Sequence, residues 1–169
     1  MKTILYKIVF LALMFITTAA FAQPPAGARP PPPPPSLMTW EQAVTMMEAA
    51  EQYTNENGWA MSIRIVDQNN NILMIHRLNG VNPFTINVTE MKTIAVTGSK
   101  MSSAQYAQKL AAGEIEEIEG AANFGGGVPV YLGGQMIGAI AASGGSPAQD
   151  EEVAIAGVMA IGASSNGDR

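Results

Sequence analysis

The chain has 169 residues, 47% of them apolar and 14% charged, with 17 glycines, 11 prolines, 11 methionines, a single histidine and no cysteine. Thiolate metal sites, iron–sulfur clusters, thiol nucleophiles and disulfide frameworks are excluded, as are zinc sites with two or three imidazoles, and a Ser/His/Asp triad would have to use His76. Fourteen acidic residues face nine basic ones, and the basic residues are scattered along the chain, so nucleic acid is not an expected partner.

In chain order, Lys2 and Lys7 flank the start of an apolar run, Ile8 to Ile16, that ends in small residues and the triplet Ala20-Phe21-Ala22. This pattern predicts a secretory signal peptide over 1–22. The run is shorter than the ~20 apolar residues of a bilayer span. Cleavage would make Gln23 the first mature residue, with no thiol for a lipid, so a periplasmic or secreted protein without a stable membrane anchor is expected. Residues 23–36, QPPAGARPPPPPPS, lack the N–H donors for helix or sheet and predict a polyproline II linker. The folded domain is then expected over 37–169.

Thr39-Trp-Glu-Gln42 has the form of a capping box, and Trp40, Ala43, Val44, Met47, Ala50 and Thr54 recur at helical spacing until Gly58. Met61, Ile63 and Ile65 alternate with Ser62, Arg64 and Val66 in a strand, and Ile72 to Leu78 follows an Asn-rich turn as its hairpin partner. That second strand is apolar on both parities, which predicts a sheet covered on both faces there. Asn87-Val-Thr-Glu90 reads as a cap for a helix over about 88–99; Asn87-Val88-Thr89 is also a glycosylation sequon. A shorter helix is expected near 102–112, followed by an acidic stretch, Gly113 to Gly120, read as a solvated turn. Val128 to Leu132 and Gln135 to Ser143 form a second hairpin around Gly133-Gly134. Ser146-Pro147 starts a last helix running to the C-terminus, whose small residues Ala154, Ala156, Gly157 and Ala160 allow close approach to the domain's own elements or to an oligomer partner.

No phosphate loop, Rossmann fingerprint, His-Glu-x-x-His or Gly-x-Ser-x-Gly elbow is present in the sequence. Six segments do form an ordered pattern: Ile65-Val-Asp67; Ile72 to Arg77 with Asn79-Gly80; Lys92-Thr-Ile-Ala95; Gly126-Gly-Val-Pro-Val130; Gly133-Gly-Gln-Met-Ile-Gly-Ala139; and Asp150-Glu-Glu-Val-Ala-Ile-Ala-Gly157. From Thr39 to Ala163 this resembles the GlcG/HbpS-like family of haem-binding proteins, relatives of the PduO C-terminal domain. The resemblance implies a profilin-like three-layer α/β/α fold, with a roughly five-stranded antiparallel sheet flanked by helices, and assembly into a homo-oligomer. Where relatives read Arg-x-Asp-Gly-Ala, this chain has Arg77-Leu-Asn79-Gly80-Val81, a neutral amide in place of a carboxylate.

Haem iron needs an axial donor and an apolar slot. His76 is the only imidazole and the candidate iron ligand; it is equally open to reading as a core or rim residue, with Tyr53, Tyr106, Tyr131 and the methionines as other donors. Arg77 and Lys92 suit haem propionates or another carboxylate, and are equally open to ion pairing with Asp67, Glu90 or Asp150. Asp150 stabilises the start of the last helix in either case. Two functions are therefore expected. One is an exported haem-binding protein that sequesters or helps degrade haem, with the cofactor in a cleft near His76 and Lys92. The other is a binding protein or enzyme for a small carboxylate, with Arg77, Lys92 and Asp150 holding it and no iron involved. No catalytic residue is assigned.

Overall fold

The computed structural model describes residues 37–167, so the expected signal peptide, 1–22, and prolyl linker, 23–36, lie outside the described residues. Thr39 opens α1 (Trp40–Glu56) with the predicted capping box, its hydroxyl accepting from the Gln42 amide while the Gln42 side chain accepts from the Thr39 N–H. β1 (Ser62–Asp67) and β2 (Ile72–Arg77) form the first hairpin, and Asp67 closes its turn by accepting from the Asn69 and Asn71 amides. Helices α2 (Thr85–Ser99) and α3 (Ser103–Ala111) lead to the second hairpin, β3 (Gly127–Leu132) and β4 (Gln135–Ser143). Its turn residues Gly133 and Gly134 both have positive φ, as a type I′ turn requires. Ser146 caps α4 (Pro147–Ala160), which stops at Ala160 short of its expected extent; Ser164 then bridges to Tyr131.

The two hairpins join through β1 and β4 into one antiparallel sheet, ordered β2-β1-β4-β3. The sheet has four strands where five were expected from the resemblance: the residues between α3 and β3 form turns. On one face, Ile63, Ile65, Val128, Val130, Ile140 and Ala142 pack with Met46, Met47 and Ala50 of α1 and Val153, Ala154 and Val158 of α4. Gly157 permits the contact between these helices, since a Cβ there would lie 2.9 Å from the Met46 carbonyl oxygen. On the opposite face, Val66 and Ala139 meet Val96 of α2.

Two further expectations are corrected. The strand covered on both faces is β1, buried along its whole length, whereas β2 is an edge strand with Ile72 55% and Ile75 37% exposed. β1 is buried because it lies between β2 and β4 and beneath helices on both sides, so its polar residues Ser62 and Arg64 are enclosed by α2. The cap expected at Asn87 is also displaced. α2 begins one turn earlier, where the Asn82 side chain accepts from the Phe84 amide and the Asn82 carbonyl accepts from the Thr85 hydroxyl. Pro83, with its fixed φ, suits the turn that enters the helix, and it places Asn87 and Thr89 inside α2.

Candidate functional site

The inward face of α2 carries Thr89, Lys92, Thr93 and Val96 at helical spacing. Lys92 is the charged member and is only 1% exposed. Its Nζ donates to the Ala142 carbonyl at the end of β4, 2.8 Å, and to Asp150 Oδ2 in the first turn of α4, 2.6 Å. Asp150 Oδ1 in turn accepts from the Gly145 N–H at 2.9 Å. One buried ion pair thus ties together a helix on one face of the sheet, the end of a central strand and the start of a helix on the other face. The Phe124 ring lies 5.4 Å from Nζ and adds cation–π stabilisation. Burial pushes the Lys92 ammonium below its ordinary pKa of 10.5, opposed by its bond to Asp150. A Lys92–Asp150 pair was one of the partnerships the sequence left open; with these donors engaged, Lys92 is not a free cation for a propionate.

A cleft of about 420 Å³ opens beside this pair, lined by Trp59, Val81, Asn82, Thr85, Gly145 and Gln149 among others. Gly145 belongs to both, its backbone lining the cleft and its N–H holding Asp150. Arg77 reaches the cleft wall indirectly, its Nη1 donating to the Val81 carbonyl at 2.6 Å.

His76 lies elsewhere. It pairs with Ile63, whose side chain faces α1, and its Nδ1 meets Glu51 Oε1 of that helix. Arg77 pairs with Ser62, which faces α2 through the Thr85 hydroxyl. Successive strand residues point to opposite faces, so the structure brings together Lys92 and Asp150, places Arg77 at the cleft on the same side, and puts His76 across the sheet. The single cleft expected near His76 and Lys92 is not formed, because the sheet separates them.

The model of the family described as "Haem degrading protein HbpS-like" matches residues 38–159. The chain belongs to this family. Protein GlcG of Escherichia coli (strain K12) is 24% identical over 109 residues, covering 63% of this chain and 81% of GlcG. The crystal structure of HbpS superimposes with a TM-score of 0.70 at 28% identity, covering 76% of this chain and 92% of HbpS. The structure of a PduOC:heme complex shares the fold, with a TM-score of 0.65, 18% identity, and coverage of 76% of this chain and 98% of that one.

Within this HbpS-like domain three features escaped the sequence reading. Gly126 passes so close to the ion pair that a Cβ would overlap Lys92 Nζ, and its φ of +114° excludes most side chains. Arg64 is buried where strand alternation predicts solvent. Glu151, next to Asp150, is half-buried, and desolvation raises its carboxyl pKa above 4.5 against the pull of Lys92. A raised carboxyl pKa contributes stability that is fully present below the unfolded value and is lost as pH rises through the folded one. Glu151→Gln is therefore expected to raise the thermal midpoint at pH 7, with the gain shrinking as pH falls and vanishing well below 4.5; parallel thermal melts at pH 7 and at acidic pH check this.

Proposed function

We propose that this HbpS-like chain is an exported haem-binding protein, periplasmic or secreted, that assists haem sequestration or degradation as a homo-oligomer. Membership of a family described as haem-degrading supports the reading. So does the solved PduOC:heme complex of the same fold. The profilin-like three-layer architecture is part of the same proposal, supported by helices packed on both faces of the sheet.

The single observation that carries the ligand assignment is the environment of His76. Glu51 engages Nδ1, which leaves Nε2 as the nitrogen for iron, and the side chain is 49% exposed, so a macrocycle can approach it. A carboxylate on the far ring nitrogen is the usual support of a metal-bound imidazole, fixing its tautomer and raising its basicity. Met74 lies on the same face of β2, two residues back, and supplies apolar surface. Bound haem would bring the iron and its redox chemistry; the chain's own part is to orient the imidazole through Glu51. At an open sheet edge one chain walls a macrocycle on one side only, which is the reason a second copy enters the proposal.

Hemin titration of the purified protein, followed at the Soret band, tests the assignment. A saturable, stoichiometric shift is expected in the wild type, its loss in His76→Ala, and an affinity about 10- to 100-fold weaker in Glu51→Gln. Retention in His76→Ala would move the ligand to a tyrosine or methionine, and no shift in the wild type would sink the haem reading. A second reading, a binding protein or enzyme for a small carboxylate without haem, is favoured by the cleft of about 420 Å³ flanked by Arg77 and remote from the only histidine.

A further inference from the structure

Arg64 is the one charged group on the α2 face of β1, and it is only partly satisfied. Its side chain is 5% exposed. Nη2 donates to a single oxygen of Glu90 at 3.2 Å, while Nε is buried with no hydrogen-bond partner among the described residues. An orphaned donor on a buried guanidinium is costly, and such atoms in folded proteins call for an occupant or a role. Nε and Nη2 together form the planar edge that grips a carboxylate through two parallel bonds. Glu90 uses half of that edge. Its own side chain is 52% exposed, so it can turn out into solvent with little loss, whereas Arg64 cannot leave.

The surroundings indicate where a ligand would come from. Ser62 precedes Arg64 by one strand repeat, about 7 Å, and its hydroxyl shares a 2.7 Å hydrogen bond with the Thr85 hydroxyl, a residue of the cleft wall. Ser62 pairs with Arg77 and Arg64 with Ile75, so the two arginines are diagonal neighbours on one face of adjacent strands. Arg77 sends Nη1 to the Val81 carbonyl at the cleft. In an acidic chain, two guanidiniums are thus gathered on one face, and Glu90 is the carboxylate paired with Arg64.

We propose that Arg64 and Arg77 form a carboxylate-binding subsite beside the cleft, in which the ligand's carboxylate takes the Nε–Nη2 edge of Arg64 and displaces Glu90, a built-in placeholder. The occupant is a small mono- or dicarboxylate: the planar two-donor edge matches a carboxylate, and the placeholder is itself one. This inference rests on the second reading above, and adds the residues that select the ligand and the internal competitor that sets its affinity.

Succinate is the probe, titrated calorimetrically into the purified protein at constant ionic strength, with chloride as the control anion. Saturable binding is expected in the wild type. Glu90→Gln removes the competitor's charge and should tighten binding about tenfold, the factor equivalent to 1.4 kcal/mol; Arg64→Met should abolish it. Arg77→Met, at an exposed position, should weaken it and so keeps the test open if Arg64→Met does not fold. A purely structural Arg64–Glu90 ion pair predicts the opposite sign for Glu90→Gln: lower stability and no gain in affinity. Unchanged or weaker succinate binding in Glu90→Gln, or undiminished binding in Arg64→Met, overturns the subsite while leaving a carboxylate-binding protein. No binding in the wild type overturns both.

Discussion

Lys92→Met is expected to lower the free energy of unfolding by about 3–5 kcal/mol, the usual loss when one partner of a buried ion pair is removed. The loss follows from what remains. Asp150, 3% exposed, would keep one hydrogen bond from Gly145 and lose its counter-charge, and the Ala142 carbonyl would lose its donor. Most domains hold only about 5–15 kcal/mol in total, so the variant should unfold at much lower denaturant with an unchanged slope. Asp150→Asn should cost a similar amount by stranding the ammonium. A double variant, Lys92→Met with Asp150→Asn, should be less destabilised than the two single losses added, because neither group is then left charged and alone. Urea unfolding of the four proteins measures the coupling. Additive losses would mean that the two residues act separately, against the 2.6 Å contact.

Much of this arrangement is legible in the sequence where a local signal decides the outcome. The Thr39 capping box, the Ser146-Pro147 start and the Gly133-Gly134 turn each use short-range hydrogen bonding or positive φ, and each forms as the residues dictate. Position across the sheet is decided otherwise. Apolar residues on both parities of β2 read as double coverage, yet strand order puts β2 at the edge and β1 inside. No local pattern shows that β1 pairs with β4, some 75 residues away in the chain, and burial follows from that pairing. The separation of His76 from Lys92 was partly visible. His76 and Arg77 are neighbours in one strand, so strand parity alone puts them on opposite faces and keeps at least one of them away from Lys92. The start of α2 was present as well, in Asn82-Pro83, but Asn87-Val-Thr-Glu90 offered the more familiar capping pattern and the helix simply runs through it.

Gly126→Ala is the second large effect, and it distinguishes a glycine needed for its own backbone from one needed by a neighbour. At φ +114° an alanine carries strain of about 1–3 kcal/mol. That is the smaller part. The added methyl would lie 2.6 Å from Asp150 Cβ and 3.1 Å from Lys92 Cε, in the space the ammonium occupies, so the ion pair must part to admit it. The total loss should therefore approach that of Lys92→Met with the strain added. Gly133→Ala provides the comparison: its φ is also positive, at +58°, but nothing among the described residues lies within 4 Å of the new Cβ, so the backbone cost alone is expected. If the account holds, Gly126→Ala should cost less in a Lys92→Met background than in the wild type, because methionine can yield and no ion pair remains to break, while the contact with Asp150 Cβ and the strain at φ +114° persist in both. Equal losses for Gly126→Ala in the two backgrounds would show that the glycine serves its own backbone and the contact with Asp150 Cβ, and not the lysine. In that case the Gly-Gly-Val-Pro segment would be a turn requirement, and no longer the part of the chain that makes room for a buried lysine.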